Sequence, residues 1–280
     1  MTPKTAVFFA STELAARIER AESQLILSGA EAVRRRNPEV LTIPIAGGVA
    51  VWAERDSPLN KVAGLGFAGV PEDGELNVLE RTFDERSTPV RVELASLADP
   101  EIALRLGRRG YLFAGCENVL GLPLGDRPPS PLPAGVEVAE SGPAEFSEWL
   151  DAVVTGFAHP DEQGVPSDEE FPREMLERVM GDLAGASGFS RYLARRGGEI
   201  AGGGSLRMGD GVAQLCGAAT LPAHRRHGVQ TALLLSRLDL ARDAGCDVAV
   251  VTTQPGSKSQ ENVQRQGFQL LYTRAVLIRG

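Results

Sequence analysis

The same order of elements can be read twice along this chain. VRVELASLADPEIALRLGRRGYLF, from Val90 to Phe113, and DVAVVTTQPGSKSQENVQRQGFQLL, from Asp247 to Leu271, each read as strand, loop, short helix, Arg-x-Gly-aromatic step and strand. Sliding by 157 residues sets Arg108 on Arg265, Gly110 on Gly267 and Tyr111 on Phe268. A helical pattern precedes each copy, LNVLERTFDER in the first and TALLLSRLDLARDAG in the second. The agreement in element order predicts a duplicated fold. At 280 residues the chain is longer than one typical domain. The stiff, aperiodic DRPPSPLPAG between the copies reads as a connection. The expected organisation is a domain at 1–125, a linker at 126–135 and a second domain at 136–280.

Helical patterns around EFSEWLDAVVTGF and REMLERVMGDLAG flank a long loop, AHPDEQGVPSDEEFP, of the kind that carries a binding function. RYLA and IAGGGSLR then read as strands joined at Arg196 to Gly198, and VAQLCGAAT as a third. A helix over Val229 to Ala244 is closed by Gly245, CDVAVVTT suits a strand covered on both faces, and FQLLYTRAVLI is the last strand.

Between the third strand and that helix stands LPAHRRHG. The first turn of a helix exposes N–H groups without intrahelical partners, and the peptide dipoles leave partial positive charge there. Gly228 gives an anion access to those donors, and Arg225 and Arg226 add charge, with His227 beside them. The anion this suits is a pyrophosphate. Neither GxxxxGK[ST] nor a GxGxxG following the first strand occurs, so a P-loop and a dinucleotide fold are excluded.

Arg225-Arg226-His227-Gly228-Val229-Gln230 resembles the acetyl-CoA motif of the GCN5-related N-acetyltransferase (GNAT) family, Gln/Arg-x-x-Gly-x-Gly/Ala at a strand–helix junction. AATLP is similar to the end of that family's splayed fourth strand, CDVAVVTT to its fifth, and SQENVQRQGF to its short helix and closing Gly-Phe. The resemblance covers Val136 to Gly280, and reaches the first half through the repeat. It implies an α/β fold of acyl-CoA N-acyltransferase type, with a mixed, mostly antiparallel central sheet flanked by helices, in tandem form. It also implies acetyl-CoA as cosubstrate and direct acetyl transfer to a primary amine in a ternary complex. Main-chain groups at Ala219, Thr220 and Leu221 would line the pantetheine arm. Arg225, Arg226, Gly228, Val229, Gln230 and Thr231 would hold the pyrophosphate.

Three positions depart from the family. Gln230 stands where a small residue is usual, and Gly256 and Val263 stand where many members carry an asparagine and a tyrosine that protonates the departing thiolate. Asn262 and Ser259, on the same short helix, are the substitutes expected to meet the cofactor arm. Transfer also needs an oxyanion donor, placed near Ala218 or Ala219, and a proton acceptor, since the third strand carries no Asp, Glu or His. Tyr192, Tyr272 and the acids between Pro166 and Glu174 are the acid–base candidates. Cys216 has no His/Asp partner nearby in sequence and reads as strand packing. The missing tyrosine keeps a second reading open, a non-catalytic acyl-CoA-binding or sensing module.

The first half enters its corresponding helix through GVPEDGELN, with Glu72, Asp73 and Glu75 where the second half has its cations. Carboxylates repel a pyrophosphate, so this half is expected to keep the fold without binding CoA, and to close one wall of the acceptor cleft. Asn60 and Asn77 are expected at that junction. A formal charge of −8 disfavours nucleic acid and favours cationic acceptors, leaving a small amine and a peptide N-terminus both open, as it leaves a homodimer. Cys116, Cys216 and Cys246 have no metal-ligand spacing and read as free thiols. With no apolar run of membrane-spanning length and no signal-peptide pattern in MTPKTAVFFASTELAARIERAE, the expected location is cytoplasmic, without a membrane partner.

Overall fold

A computed structural model describes residues 7–125, 127–159, 165 and 172–280. The first half contains α1 (Thr12–Arg34), β1 (Leu41–Ile45), β2 (Gly48–Trp52), β3 (Lys61–Ala63), α2 (Asp73–Asp84), β4 (Val90–Ala95), α3 (Pro100–Arg108) and β5 (Leu112–Pro123). The second contains β6 (Val136–Glu140), α4 (Phe146–Ala158), α5 (Arg173–Leu183), β7 (Phe189–Arg196), β8 (Glu199–Gly209) and β9 (Val212–Gln214). It ends with β10 (Ala218–Thr220), α6 (Val229–Asp243), β11 (Val248–Thr253), α7 (Lys258–Arg265) and β12 (Gln269–Arg279). The repeated run β4–α3–β5 thus matches β11–α7–β12 in order and type. Its shared glycines have a physical basis: Gly110 and Gly267 follow their helices at φ +88° and +95°, a conformation that suits glycine. The two helices also start alike, with Asp99 accepting from Glu101 N and Ser257 from Gln260 N.

All strands join one sheet in the order β1-β2-β3-β4-β12-β5-β11-β9-β8-β7-β6, with β10 paired to β8 off this path. Pairing is antiparallel except at β3/β4 and β9/β11. The middle of that order is an exchange. β12, the last strand of the second half, lies between β4 and β5, and β5, the last strand of the first half, lies between β12 and β11. Each half is closed by a strand of the other, and the two exchanged strands pair from Gln269↔Gly121 to Ile278↔Leu112.

Apolar clusters fill both faces. On one face α1, α4 and α5 pack through residues such as Ile18, Ile26, Trp149, Val153 and Met175. On the other, α2 and α3 cover the first half with Leu76, Phe83 and Ile102, and α6 and α7 cover the second with Leu233, Leu238 and Val263. A buried ion pair also ties the halves together. Glu19 on α1 accepts from Arg274 Nε at 2.8 Å and from the Tyr272 hydroxyl at 2.7 Å, with both members of the pair 2% exposed. Among the described residues, no helix is long and apolar enough to cross a membrane.

Two outcomes follow from the exchange. Fragments 1–125 and 136–280 expressed separately should lack a cooperative thermal transition, because each leaves a gap in its sheet, and mixing them during refolding should restore it in circular dichroism. Glu19→Ala removes the 2.8 Å partner of the buried Arg274, leaving the longer contacts to Glu22 and Glu117, and should destabilise the full chain by about 2–3 kcal/mol in urea titration.

Candidate functional site

The sheet opens at one place. β9 runs parallel to β11 as far as Gln214↔Val250, and Leu215 N donates to Val250 O at 2.9 Å. At Cys216 and Gly217 the chain turns away, with Ser205 N meeting both of their carbonyls at 3.1 Å. β10 then continues on β8 alone, from Ala218↔Gly204 to Thr220↔Gly202. VAQLCGAAT, expected as one strand, is therefore two, separated by a break that lets β10 splay from β11.

The break is held from the α6 side. Arg237, only 3% exposed, donates from Nη1 to Ser205 O at 2.7 Å and to Cys216 O at 3.4 Å, and from Nε to Leu233 O at 2.9 Å. Its partners are carbonyls, and burial pushes its guanidinium down to about 10. The ladder then decides which backbone groups face the opening. Leu221 N donates to Ala201 O at 3.0 Å and Ser205 N to Gly217 O, so alternation turns residues 217, 219 and 221 toward β8. The N–H and C=O groups of Ala218 and Thr220 point to the splayed side. Ala219 faces Gly203 across the ladder, and α4 crosses it closely: a Cβ built on Gly156 would lie 2.3 Å from that of Ala219.

α6 begins beside this opening. Arg225 is extended, Arg226 has φ +63°, and the N-cap is Gly228 at φ +79°, with no side-chain cap. Val229, Gln230 and Thr231 thus present first-turn N–H groups that lie too early in the helix for an intrahelical acceptor. Arg226 and His227 are exposed, while Arg225 Nη2 donates to His159 O at the end of α4. The other helix start differs in kind. At α2, Glu75 Oε2 accepts from the Glu72 N–H at 2.7 Å within a capping box, so carboxylates of the chain itself occupy the place an anion would take.

The remaining sequence candidates scatter. Ser259 is exposed and Asn262 half-buried on α7. Tyr192 is 4% exposed in the core beneath α6, and Tyr272 is 4% exposed under α1 with its hydroxyl on Glu19. Burial and that carboxylate hold the Tyr272 phenol far above its ordinary range. The structure brings neither tyrosine to the splay. Of the loop acids, Asp168, Glu169 and Glu170 lie outside the described residues, as does Asp126 of the linker. Asn60 staples its own turn through Ala53 N and Glu54 O, and Asn77 accepts from Arg109; both bonds lie inside the first half. The three cysteines are free. The Cys216 thiol leans on Gln214 O, and burial with Glu22 nearby pushes it up to about 12, so it is protonated at neutral pH.

Sequence reasoning missed one group of residues. On the α1 face, Thr252 of β11 is exposed although it sits deep in the sheet, so this face is uncovered at the mouth of the splay. Charged side chains from the first half stand next to it. Lys61 Nζ meets Glu93 Oε1 at 3.0 Å, and Glu93 Oε2 is buried without a partner among the described residues. Glu117 lies 3.8 Å from Arg274 and 3.7 Å from Arg91. The available signal was a Glu in the interior of each of two largely apolar strands, VRVELA and LFAGCENVLGLP, whose remaining polar residues are Arg91 and Asn118.

Residues 154–268 match the model of the acetyltransferase (GNAT) family. Solved structures resemble almost the whole chain. A GCN5-related N-acetyltransferase from Kribbella flavida shares 20% identity over 95% of each chain, with a TM-score of 0.67. A tandem GNAT protein from the clavulanic acid biosynthesis pathway shares 15% identity over 97% of this chain and 96% of its own, at 0.61. A GCN5-related N-acetyltransferase from Sphaerobacter thermophilus shares 16% identity over 96% and 93%, at 0.56. No curated protein matched in sequence. The chain has the GNAT acetyltransferase fold, whose general chemistry is acyl-CoA-dependent acetyl transfer.

Arg237→Leu tests the clamp. It removes the 2.7 Å donor to Ser205 O and leaves Cys216 O to Ser205 N alone, and should lower stability by about 2 kcal/mol in urea titration. Amide exchange should quicken first at residues 216–220.

Proposed function

We propose that this chain is an N-acetyltransferase that moves an acetyl group from acetyl-CoA to a primary amine by direct transfer in a ternary complex. The observation that carries this reading is the coincidence of two open sets of donors, the splayed edge of β10 and the uncapped start of α6 eight residues further on. The residues fit the cosubstrate. First-turn N–H groups of Val229, Gln230 and Thr231 face where a pyrophosphate would sit, and Arg226 adds charge from the exposed loop. Arg225 holds that loop to α4. The outward groups of Ala218 and Thr220 can pair with the amides of a pantetheine arm, as strand to strand, with Leu221 closing the ladder behind them.

When bound, acetyl-CoA supplies an activated thioester, and the protein positions it against the amine. The donor to the developing oxyanion is best assigned to Ala218 N–H, since the Ala219 N–H is spent on β8; one such donor is worth roughly 3 kcal/mol in acyl transfer. Ala219 then serves by close packing on Gly156. Ser259 and Asn262 line the far side on α7. The acceptor is a small cationic amine or a peptide N-terminus, in keeping with the net charge of −8. We read residues 1–125 and 136–280 as two acetyltransferase-like halves, of which only the second binds the cosubstrate; the capping box at α2 supports that asymmetry.

One observation favours the second reading, an acyl-CoA-binding or sensing module: Val263 is buried in the core at the place of the family's tyrosine. Thioester turnover with a panel of amines separates the two, because binding without turnover would leave only the module.

The cosubstrate site is tested by calorimetry. The parent should bind acetyl-CoA, and a variant carrying Arg226→Glu and Gly228→Asp should bind at least tenfold more weakly while staying folded. Folded parent that does not bind would remove the enzyme reading.

A further inference from the structure

We propose that Glu117, carried on the first half's exchanged strand β5, is the group that takes the proton from the amine in the acceptor cleft of the second half. This deepens the acetyltransferase reading and rests on it.

The register places Glu117 at the mouth of the splay. Asn118 pairs with Thr253, the last residue of β11, so Glu117 stands one step beyond the end of that strand, where β10 has already departed. Val119 lies opposite Thr252. Alternation puts Glu117 on the same face as Val119 and hence as the exposed Thr252. It looks toward the part of the central sheet that Thr252 leaves exposed.

Among the described neighbouring carboxylates, Glu117 is the most accessible and the least tightly held. Glu19 is sealed at 2% exposure by Arg274 and Tyr272. Glu93, also 2% exposed, is held by Lys61. Glu22 accepts from Gln214 Nε2 at 3.1 Å. The Glu117 side chain is 22% exposed, and its ion-pair contacts to Arg274 and Arg91, at 3.8 and 3.7 Å, are too long for hydrogen bonds. The buried, unpartnered Glu93 Oε2 beside it is a second acceptor in the same place, so a proton arriving on Glu117 has a neighbour to share it.

The groups facing Glu117 set its proton affinity. Burial raises it first, and the negative charges of Glu93 on β4 and Glu22 on α1 raise it further. Lys61 on β3 and Arg274 on β12 oppose them, and the balance is about 7. Arg91 is a further cation beside it, and Arg207 on β8 stands near Glu22 on the same face. A carboxylate near half-ionised at neutral pH can accept a proton and release it again.

The step balances. One proton passes from the ammonium to Glu117. The freed nitrogen lone pair forms the N–C bond to the thioester carbonyl carbon, and the C–S bond breaks with its electron pair leaving on sulfur. The second nitrogen proton ends on that sulfur as the thiol, and Glu117 returns its proton to water.

Glu117→Gln in the full chain is the test. Four quantities should be measured for it, the parent and Glu117→Asp: acetyl-CoA affinity by calorimetry, kcat/KM with an amine by thiol release, its pH profile, and thermal stability at pH 8. The Gln variant should keep parent affinity for acetyl-CoA, lose at least a hundredfold in kcat/KM, and lose the limb that rises through about pH 7 in the parent. Glu117→Asp should keep part of the rate with the limb retained. Stability separates loss of function from loss of fold. The folded pKa is raised above the unfolded one, so this group's favourable contribution is lost as pH rises through about 7. The neutral Gln does not incur that loss, so Glu117→Gln should melt no lower than the parent at pH 8. A Gln variant with parent-like kcat/KM and the same pH limb would overturn the proposal and leave the acetyltransferase reading standing. A parent that binds no acetyl-CoA would remove both.

Discussion

The exchange of β5 and β12 is the constraint on which the rest of the molecule depends. A sheet in which each half lends its last strand to the other cannot be divided at the proline-rich connection, although that connection looks like a boundary in the sequence. The exchange also explains why charge is buried at the centre. Once β12 lies between β4 and β5, Arg274 is surrounded by Glu93, Glu117 and, through α1, Glu19, all from the first half. An ion pair sealed from water contributes little net stability compared with an apolar pair, but it penalises wrong pairings heavily. Here the carboxylates that surround Arg274 of β12 come from the first half.

Splaying a strand from a sheet leaves carbonyls and amides without partners, and the structure deals with the two ends differently. At the root of the break the carbonyls are buried, and Arg237 reaches from α6 to meet those of Ser205 and Cys216, the latter shared with Ser205 N. Further out, along Ala218 and Thr220, the groups are left open. That gradient, satisfied inside and free outside, is what distinguishes a binding edge from a packing defect. It also binds α6 to the break from behind, so that the helix start carrying Gly228 is positioned by the same residue that keeps the strand apart.

Much of this was legible because it depends on local chemistry. Gly245 closing α6, the turn between β7 and β8, and the repeated helix–glycine step at Gly110 and Gly267 are backbone requirements that show in the sequence where they act. The contrast between Gly228 and Glu72 as helix caps was legible for the same reason. What could not be read was whatever depends on strand order. VAQLCGAAT has the composition of one strand, and only the competition between β8 and β11 for its two edges breaks it at Cys216. Tyr272 sits four residues past a Gly-Phe pair and looked available, yet α1 crosses over it and Glu19 takes its hydroxyl. Asn60 and Asn77 failed as junction residues because the junction is made by strands in the middle of the sheet, far from the turn and the helix surface that hold them.

The two helix starts give the duplication its sense. A pair of identical halves would present two anion sites and two splays, each walled by whatever strand happened to lie beside it. In this chain the first half has filled its own helix start with Glu72 and Glu75, which stabilises α2 without a ligand. What it contributes to the second half is the exchanged strand β5 and the packing of α1. A carboxylate such as Glu117, raised by burial and by Glu93, costs folding free energy once it ionises. Its place on a strand of one half, two strands from the splay of the other, follows directly from the exchange. Without β5 between β12 and β11, the second half would keep the start of α6 and the splay of β10, but no Glu117 beside them.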